Sequence, residues 1–305
     1  MTKFEHDAAA AKHREQVSTL NKPWYRSCSQ VLESLPLQGG KAVDLCSGNV
    51  EYSRVLRDCF KMDVVCADYI PHHIKKATEQ GFPTLNIDLD GDWKSIESAI
   101  ADHIGKYDLV VNLAAVEHVF CSDNLMGVAH KLLKPGGLFV INTPNIEFLG
   151  YRLYSLLNGN RPFGEGHHIR FWDYRFLRTC LYFNGFEINK DSRKFFSLPE
   201  EAMRRAFKNR LWVSRNIAKL FYCCFLFQKI PFFRGWATDE LTLLCRKEEL
   251  VPVPFDYLYI RSVLEDKSEE VRARQNEILD RLTRASNRGW LKEHIYMSEL
   301  VEKYI

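Results

Sequence analysis

The chain has 305 residues, 46% apolar and 27% charged, enough to bury a full core in one large or two modest domains. That composition excludes a disordered, fibrous or low-complexity chain. The net charge of +3, from 42 basic and 39 acidic residues, is too small to signal a nucleic-acid partner, and none is expected.

The start, Met-Thr-Lys-Phe-Glu-His, is polar, and no apolar run reaches the ~18–20 residues of a membrane helix, so a soluble, cytoplasmic chain is expected. The nine cysteines show no CxxC pair and no zinc-type spacing; they read as buried free thiols. In chain order, helical stretches near 5–19 and 24–34 come first, a candidate cap over a site. From Gly39 to Thr143 one rhythm then repeats: a short β-branched apolar run, a turn, an amphipathic stretch. Strands are predicted over 41–46, 63–68, 84–88, 107–113 and 137–143, with helices over 52–60, 71–80, 93–104 and 122–133. Such alternation predicts a parallel sheet covered on both faces, with ligands outside the carboxyl ends of the strands.

A helix over 171–184 closing on Gly185, a strand from Phe186 and a last strand over 239–246 complete the expected fold. It is α/β, with a Rossmann-like, seven-stranded, mostly parallel sheet and helices on both faces. The spacing after Pro254 predicts two helices broken near Asn287-Arg288-Gly289. The expected organisation is an N-terminal helical cap (1–38), a central domain (39–247) with a helical insertion (198–236) before the last strand, and a C-terminal helical extension (248–305).

The sharpest signal is Lys41-Ala-Val-Asp-Leu-Cys-Ser-Gly-Asn-Val50, a strand entering a tight turn and a helix. Small residues there let backbone approach a ligand closely. Asp68 ends the next strand, 24 residues after Asp44, where a carboxylate accepts ribose hydroxyls. Neither GxGxxG nor GxxxxGK[ST] occurs, which favours a nucleoside ligand without phosphate.

Further motifs follow in order: Asn86-Ile-Asp88-Leu89, Tyr107-Asp-Leu-Val-Val, Val116-Glu-His-Val119 and Leu133-Lys-Pro-Gly-Gly-Leu-Phe-Val-Ile-Asn-Thr-Pro-Asn145. With Asp44-Leu-Cys-Ser-Gly48 and Asp68, this ordered set resembles the class I S-adenosylmethionine-dependent methyltransferases over roughly 39–247. The subgroup it is most similar to includes the ubiquinone-biosynthesis O-methyltransferases. Cys46 and Val50 stand where that family usually has glycines, and Val50 is expected to take an ordinary negative φ and narrow the approach to the cofactor.

The resemblance implies S-adenosylmethionine as cofactor. Asp44 and the backbone of Cys46, Ser47, Gly48 and Asn49 would hold its amino-acid end, Asp68 its ribose, Tyr69 or Ile70 one face of the adenine, and Asp88 with Leu89 the adenine edge. Asn112 and Leu113 would flank the sulfonium. Methyl transfer is an in-line displacement that depends chiefly on alignment, and an oxygen nucleophile of high pKa also needs a base. His118 is the candidate base, or alternatively a turn histidine bonded to backbone, with Glu117 orienting it or binding a cation. In the ubiquinone-type relatives an acid three residues before this Glu-His pair completes a divalent-metal site. Ala114 stands there, so two ligands remain and no metal is expected.

The cluster Gly164-Glu-Gly-His-His-Ile-Arg-Phe-Trp172 is similar to an element that the resemblance places over the substrate pocket. It adds His167 and His168 to the catalytic candidates and Glu165 and Arg170 to the acceptor-binding ones, beside Asn145, Tyr151 and Tyr154. The stretch from Asn145 to Arg170 reads as a long loop serving as a lid. From Arg193 to Arg234, ten cations against two acids give +8, leaving −5 on the remainder. Interleaved with large apolar groups, this suits a peripheral membrane or protein contact through 198–236.

The expected reaction is methylation of a small-molecule acceptor, on a hydroxyl of a sugar, glycan precursor or other polar metabolite. The alternatives are an amphiphilic acceptor met at a membrane surface and a non-catalytic, partner-binding relative. The oligomeric state is left open.

Overall fold

The computed structural model describes residues 22–35, 37, 39–158, 168–189, 238–292 and 294–305. Among these the elements are α1 (Pro23–Glu33), β1 (Lys41–Leu45), α2 (Glu51–Asp58), β2 (Asp63–Asp68), α3 (Pro71–Glu79), β3 (Thr84–Asn86), α4 (Trp93–Ile100), β4 (Tyr107–Leu113), α5 (Ser122–Leu132), β5 (Leu133–Pro144), α6 (Leu149–Asn158), α7 (Tyr174–Phe183), β6 (Phe186–Asn189), β7 (Glu240–Lys247), α8 (Tyr257–Glu265), α9 (Arg272–Asn287) and α10 (Ile295–Tyr304). A single 3₁₀ turn, Val116–His118, follows β4.

The seven strands lie in the order β3-β2-β1-β4-β5-β7-β6. β1 to β5 pair in parallel, and β7 is antiparallel to both β5 and β6. Chain order reverses between β1 and β4, the switch point at which such sheets bind ligands. Each central strand is buried on both faces, so Ala-Val-Asp-Leu and Leu-Val-Val-Asn run almost without an exposed position. One face packs Val43, Leu45, Val110, Phe139 and Leu243 beneath α4, α5 and α7. The other packs Ala42, Val64, Leu109 and Val140 against α1 and α2.

Local chemistry sets the helix starts. Asp92, Asp173 and Asp256 cap α4, α7 and α8 by accepting from Ser95 N, Phe176 N and Tyr259 N. Gly185, at φ 80°, ends α7; a Cβ there would sit 2.6 Å from the Leu250 carbonyl, so only glycine fits.

Several expectations are corrected. The stretch 145–170 is not one long loop, because α6 occupies Leu149–Asn158. The C-terminal extension holds three helices rather than two: the chain breaks near Asp266 as well as after Asn287. These helices share a core of Val253, Ile260, Ile278, Leu282, Leu291 and Leu300 with Phe183 at the end of α7. Cys59 and Cys121 are exposed rather than buried, and all seven described cysteines are free thiols. The predicted helix near 5–19 and the basic insertion lie outside the described residues. No described helix is long and apolar enough to cross a membrane.

Candidate active site

The turn from β1 into α2 forms one half of the site. Cys46 N and Ser47 N donate to the Ala67 carbonyl at 2.8 and 3.1 Å, tying the turn to β2. Cys46, Gly48 and Val50 all have positive φ, at 65°, 53° and 55°. The negative φ expected for Val50 is therefore wrong: the path of the turn fixes the left-handed conformation whichever residue occupies it. A non-glycine residue held there costs about 1–3 kcal/mol, persisting where the surroundings over-determine it. For Val50 that restraint is full burial in the same core as Tyr52 and Leu56. Among the described residues a Cβ on Gly48 would meet nothing within 4 Å, so the turn presents bare backbone on that side.

Asp44 lies beneath this turn, where its carboxylate accepts from Ser53 Oγ at 2.5 Å and so anchors the first turn of α2. Burial pushes its pKa up to about 6. Asn112 is fully buried; its Nδ2 donates to the Leu45 carbonyl at 2.8 Å, across the switch point. Among the described residues its Oδ1 has no partner, a buried acceptor suited to a donor-bearing ligand. Leu113 follows, half-buried, at the strand end.

Asp68 is 6% exposed and its carboxylate is fully engaged. Oδ1 accepts from Tyr69 N and Ile70 N at 2.9 and 3.0 Å, and Oδ2 accepts from Gly48 N at 3.0 Å and contacts His73 Nδ1 at 3.1 Å. His73 escaped the reading of the sequence because it falls one helical turn beyond the motif. Tyr69 is half-buried beside it, and Asn49 Oδ1 accepts from Lys76 Nζ at 3.4 Å. Asp88 is exposed and accepts from Asp90 N, whereas Leu89 is buried in the core.

The second half lies beyond β4. Glu117 is 2% exposed and its Oε2 accepts from Thr143 Oγ1 at 3.0 Å. The segment after residue 167 is stitched onto it, with Ile169 N and Arg170 N both donating to the Glu117 carbonyl at 3.0 and 3.2 Å. This places the His168 ring 4.8 Å from that of His118, edge to face. One ligand atom from each of Glu117, His118 and His168 lies within 4.8 Å of the others. The count of two candidate ligands is thereby corrected to three, because the third comes from a segment 50 residues away.

Arg170 Nη2 donates to the Phe120 carbonyl at 2.5 Å, which fixes the loop. Asn145 is fully buried, with Nδ2 on the Thr238 carbonyl at 2.6 Å and Oδ1 accepting from Glu147 N at 3.1 Å. It splices the end of β5 to the residues before β7. Tyr151 packs against Phe148, and burial with Glu240 and Asp239 nearby holds its hydroxyl well above the usual range. Glu165 and His167, like the side chain of Tyr154, lie outside the described residues.

Glu240 was missed. It opens β7, where an acid reads as a solvated strand end, yet it is 5% exposed. Burial, together with Asp239 and Glu117, raises its pKa well above the carboxylate range.

The methyltransferase-domain family model matches residues 14–190, more than half of the chain. The ubiquinone biosynthesis O-methyltransferase of Brucella ovis is 31% identical over 120 residues, covering 39% of this chain and 46% of that protein. The enzyme of that name from Xanthomonas oryzae pv. oryzae is 28% identical over 112 residues, 36% of this chain and 46% of its own length. The chain thus spans about half the length of these curated relatives. Among solved structures, a chain of the complex between the Haloferax volcanii Trm112 methyltransferase activator and a methyltransferase aligns with a TM-score of 0.54 at 16% identity. The alignment covers 82% of this chain and 99% of that one, a likeness of fold alone. With the switch-point turn, the acid ending β2 and the 3-2-1-4-5-7-6 sheet, these findings establish that the chain belongs to the methyltransferase-domain family and carries the class I, S-adenosylmethionine-dependent fold.

Proposed function

We propose that the protein transfers a methyl group from S-adenosylmethionine to a hydroxyl oxygen of a small-molecule acceptor. The observation that carries this reading is the Glu117-His118-His168 cluster, set where β4 leaves the sheet and next to the cofactor turn. The cofactor supplies a methyl on a sulfonium. The bare turn at Gly48 and the buried acceptor Asn112 Oδ1 suit its amino-acid end, and Asp68 suits its ribose.

Catalysis would then rest on alignment, with an imidazole at His118 accepting the hydroxyl proton as the carbon–oxygen bond forms and the methyl's bond to sulfur breaks, its electron pair staying on sulfur. Transfer to oxygen, and to an amphiphilic acceptor as a second reading, is supported by the O-methyltransferase relatives and by the +8 segment in the sequence.

Calorimetric titration with S-adenosylhomocysteine, followed by turnover on a panel of hydroxylated acceptors, tests the proposal. His118→Ala is expected to lower kcat at least about 100-fold, in the range of general base catalysis, with cofactor affinity within about twofold of the parent. No binding at millimolar ligand refutes the enzyme reading, and an unchanged kcat removes His118 from the chemistry.

A further inference from the structure

We infer that Glu240 and Asn142 form a subsite for a protonated amine, so that the small molecule methylated carries an ammonium group as well as its hydroxyl. This rests on the methyl-transfer reading of the same cleft and names the class of acceptor that the cleft takes.

The placement follows from the sheet. Glu240 opens β7 opposite Pro144, at the carboxyl end of β5, the end at which such sheets bind ligands. Side chains alternate along a strand, so Glu240 and Thr242 share one face of β7, beside Asn142 of β5, which pairs with Thr242. That face packs Val140 and Leu244 against α1. Glu240 acts electrostatically on Tyr151 of α6 and is acted on by Glu117, which sets it between that helix and the turn carrying His118.

The unmet groups define the ligand. Asn142 has no exposed surface, and its Nδ2 donates to Thr242 Oγ1 at 2.8 Å. Among the described residues, Asn142 Oδ1 and Glu240 Oε2 have no partner, although Glu240 is only 5% exposed. Both atoms are acceptors, so the group that completes them brings donors. Charge narrows the class further. The charged groups acting on Glu240 among the described residues are Asp239 and Glu117, both acids, and with burial they hold its pKa well above the carboxylate range. A buried carboxylate is costly without a counter-charge. A hydroxyl brings one proton and no charge, which leaves one of the two acceptors unmet. An ammonium brings three protons and the charge, and it favours the ionised carboxylate.

Such a site rejects an analogue that lacks the amine, because its own buried acceptors are then left unpaired. The test uses the full chain with saturating S-adenosylhomocysteine. Hydroxylated compounds are titrated by calorimetry in matched pairs, each amine beside its neutral analogue, such as tyramine with 4-ethylphenol and glucosamine with glucose. The amine members are expected to bind at least about 10-fold tighter, the size of a hydrogen bond to a charged group. Glu240→Gln, which keeps the shape and removes the charge, should abolish that preference, and Glu240→Asp should keep a preference above that of Glu240→Gln. Melting curves confirm that each variant is folded. Equal or absent binding across the pairs in the parent, as a carboxyl bonded only within the protein would give, overturns the inference. So does a preference that survives unchanged in Glu240→Gln. S-adenosylhomocysteine titrated alone into the parent tests the methyl-transfer reading separately: cofactor binding without an amine preference overturns this inference and leaves that reading standing.

Discussion

Replacing His73 by Phe tests whether the ribose acid is available to a cofactor. The two oxygens of Asp68 offer about four lone-pair sites, and Gly48 N, Tyr69 N, Ile70 N and His73 already occupy them. A ribose hydroxyl that binds there needs one of these sites. The three amides are fixed by the turn and by the start of α3, so His73, the one side chain among the four, is the group that gives way. A hydrogen bond to a charged acceptor is worth about 1.5–3 kcal/mol net, and displacing it weakens the cofactor by that amount. His73→Phe preserves the bulk of a buried ring while freeing one of the two sites on Oδ2. S-adenosylhomocysteine should then bind about 10-fold tighter or better by calorimetry, since about 1.4 kcal/mol is tenfold in affinity. Unchanged or weaker binding in a variant with the parent's melting temperature would refute the reasoning, because it would mean that the cofactor reaches Asp68 without displacing His73.

Two further predictions concern stability. Arg281, with no exposed surface, donates to the carbonyls of Phe183 and Val251 and pairs with Glu277 at 2.7 Å, bolting the C-terminal helices to α7. Arg281→Met should cost about 3 kcal/mol by orphaning two carbonyls, read from denaturant midpoints; a loss under about 0.5 kcal/mol contradicts it. His130 contacts the Glu248 carbonyl at 3.1 Å, and burial lowers its pKa from 6.5 to about 4. Since the folded pKa is depressed, its contribution is fully present above pH 6.5 and is lost as pH falls towards 4, a swing of about 3 kcal/mol. His130→Gln, which keeps the donor, should flatten that part of the stability profile relative to the parent, and parallel profiles would rule His130 out.

The fold was legible because its signals are local. A β-branched run such as Lys41-Ala-Val-Asp-Leu45, an acid two dozen residues on and Pro71 at a helix start each follow from neighbouring residues in sequence. The cofactor half of the site shares that property, since strand ends and the turns after them are contiguous. The turn's conformation was less legible: Val50 predicts a negative φ by its own steric preference, and burial in the tertiary core overrides it.

The sequence by itself determined the order of strands and helices, the switch-point turn and the residues beside it, because hydrophobic period and turn chemistry act over a few residues. It also identified the Glu117-His118 pair and, separately, His168, without joining the two. Only the tertiary structure decided that His168 meets Glu117 and His118, that Asp68 is saturated by its neighbours, and that Glu240 is buried. Each of these depends on chain segments distant in sequence, brought into register by backbone hydrogen bonds between loops and by the pairing of β5 with β7.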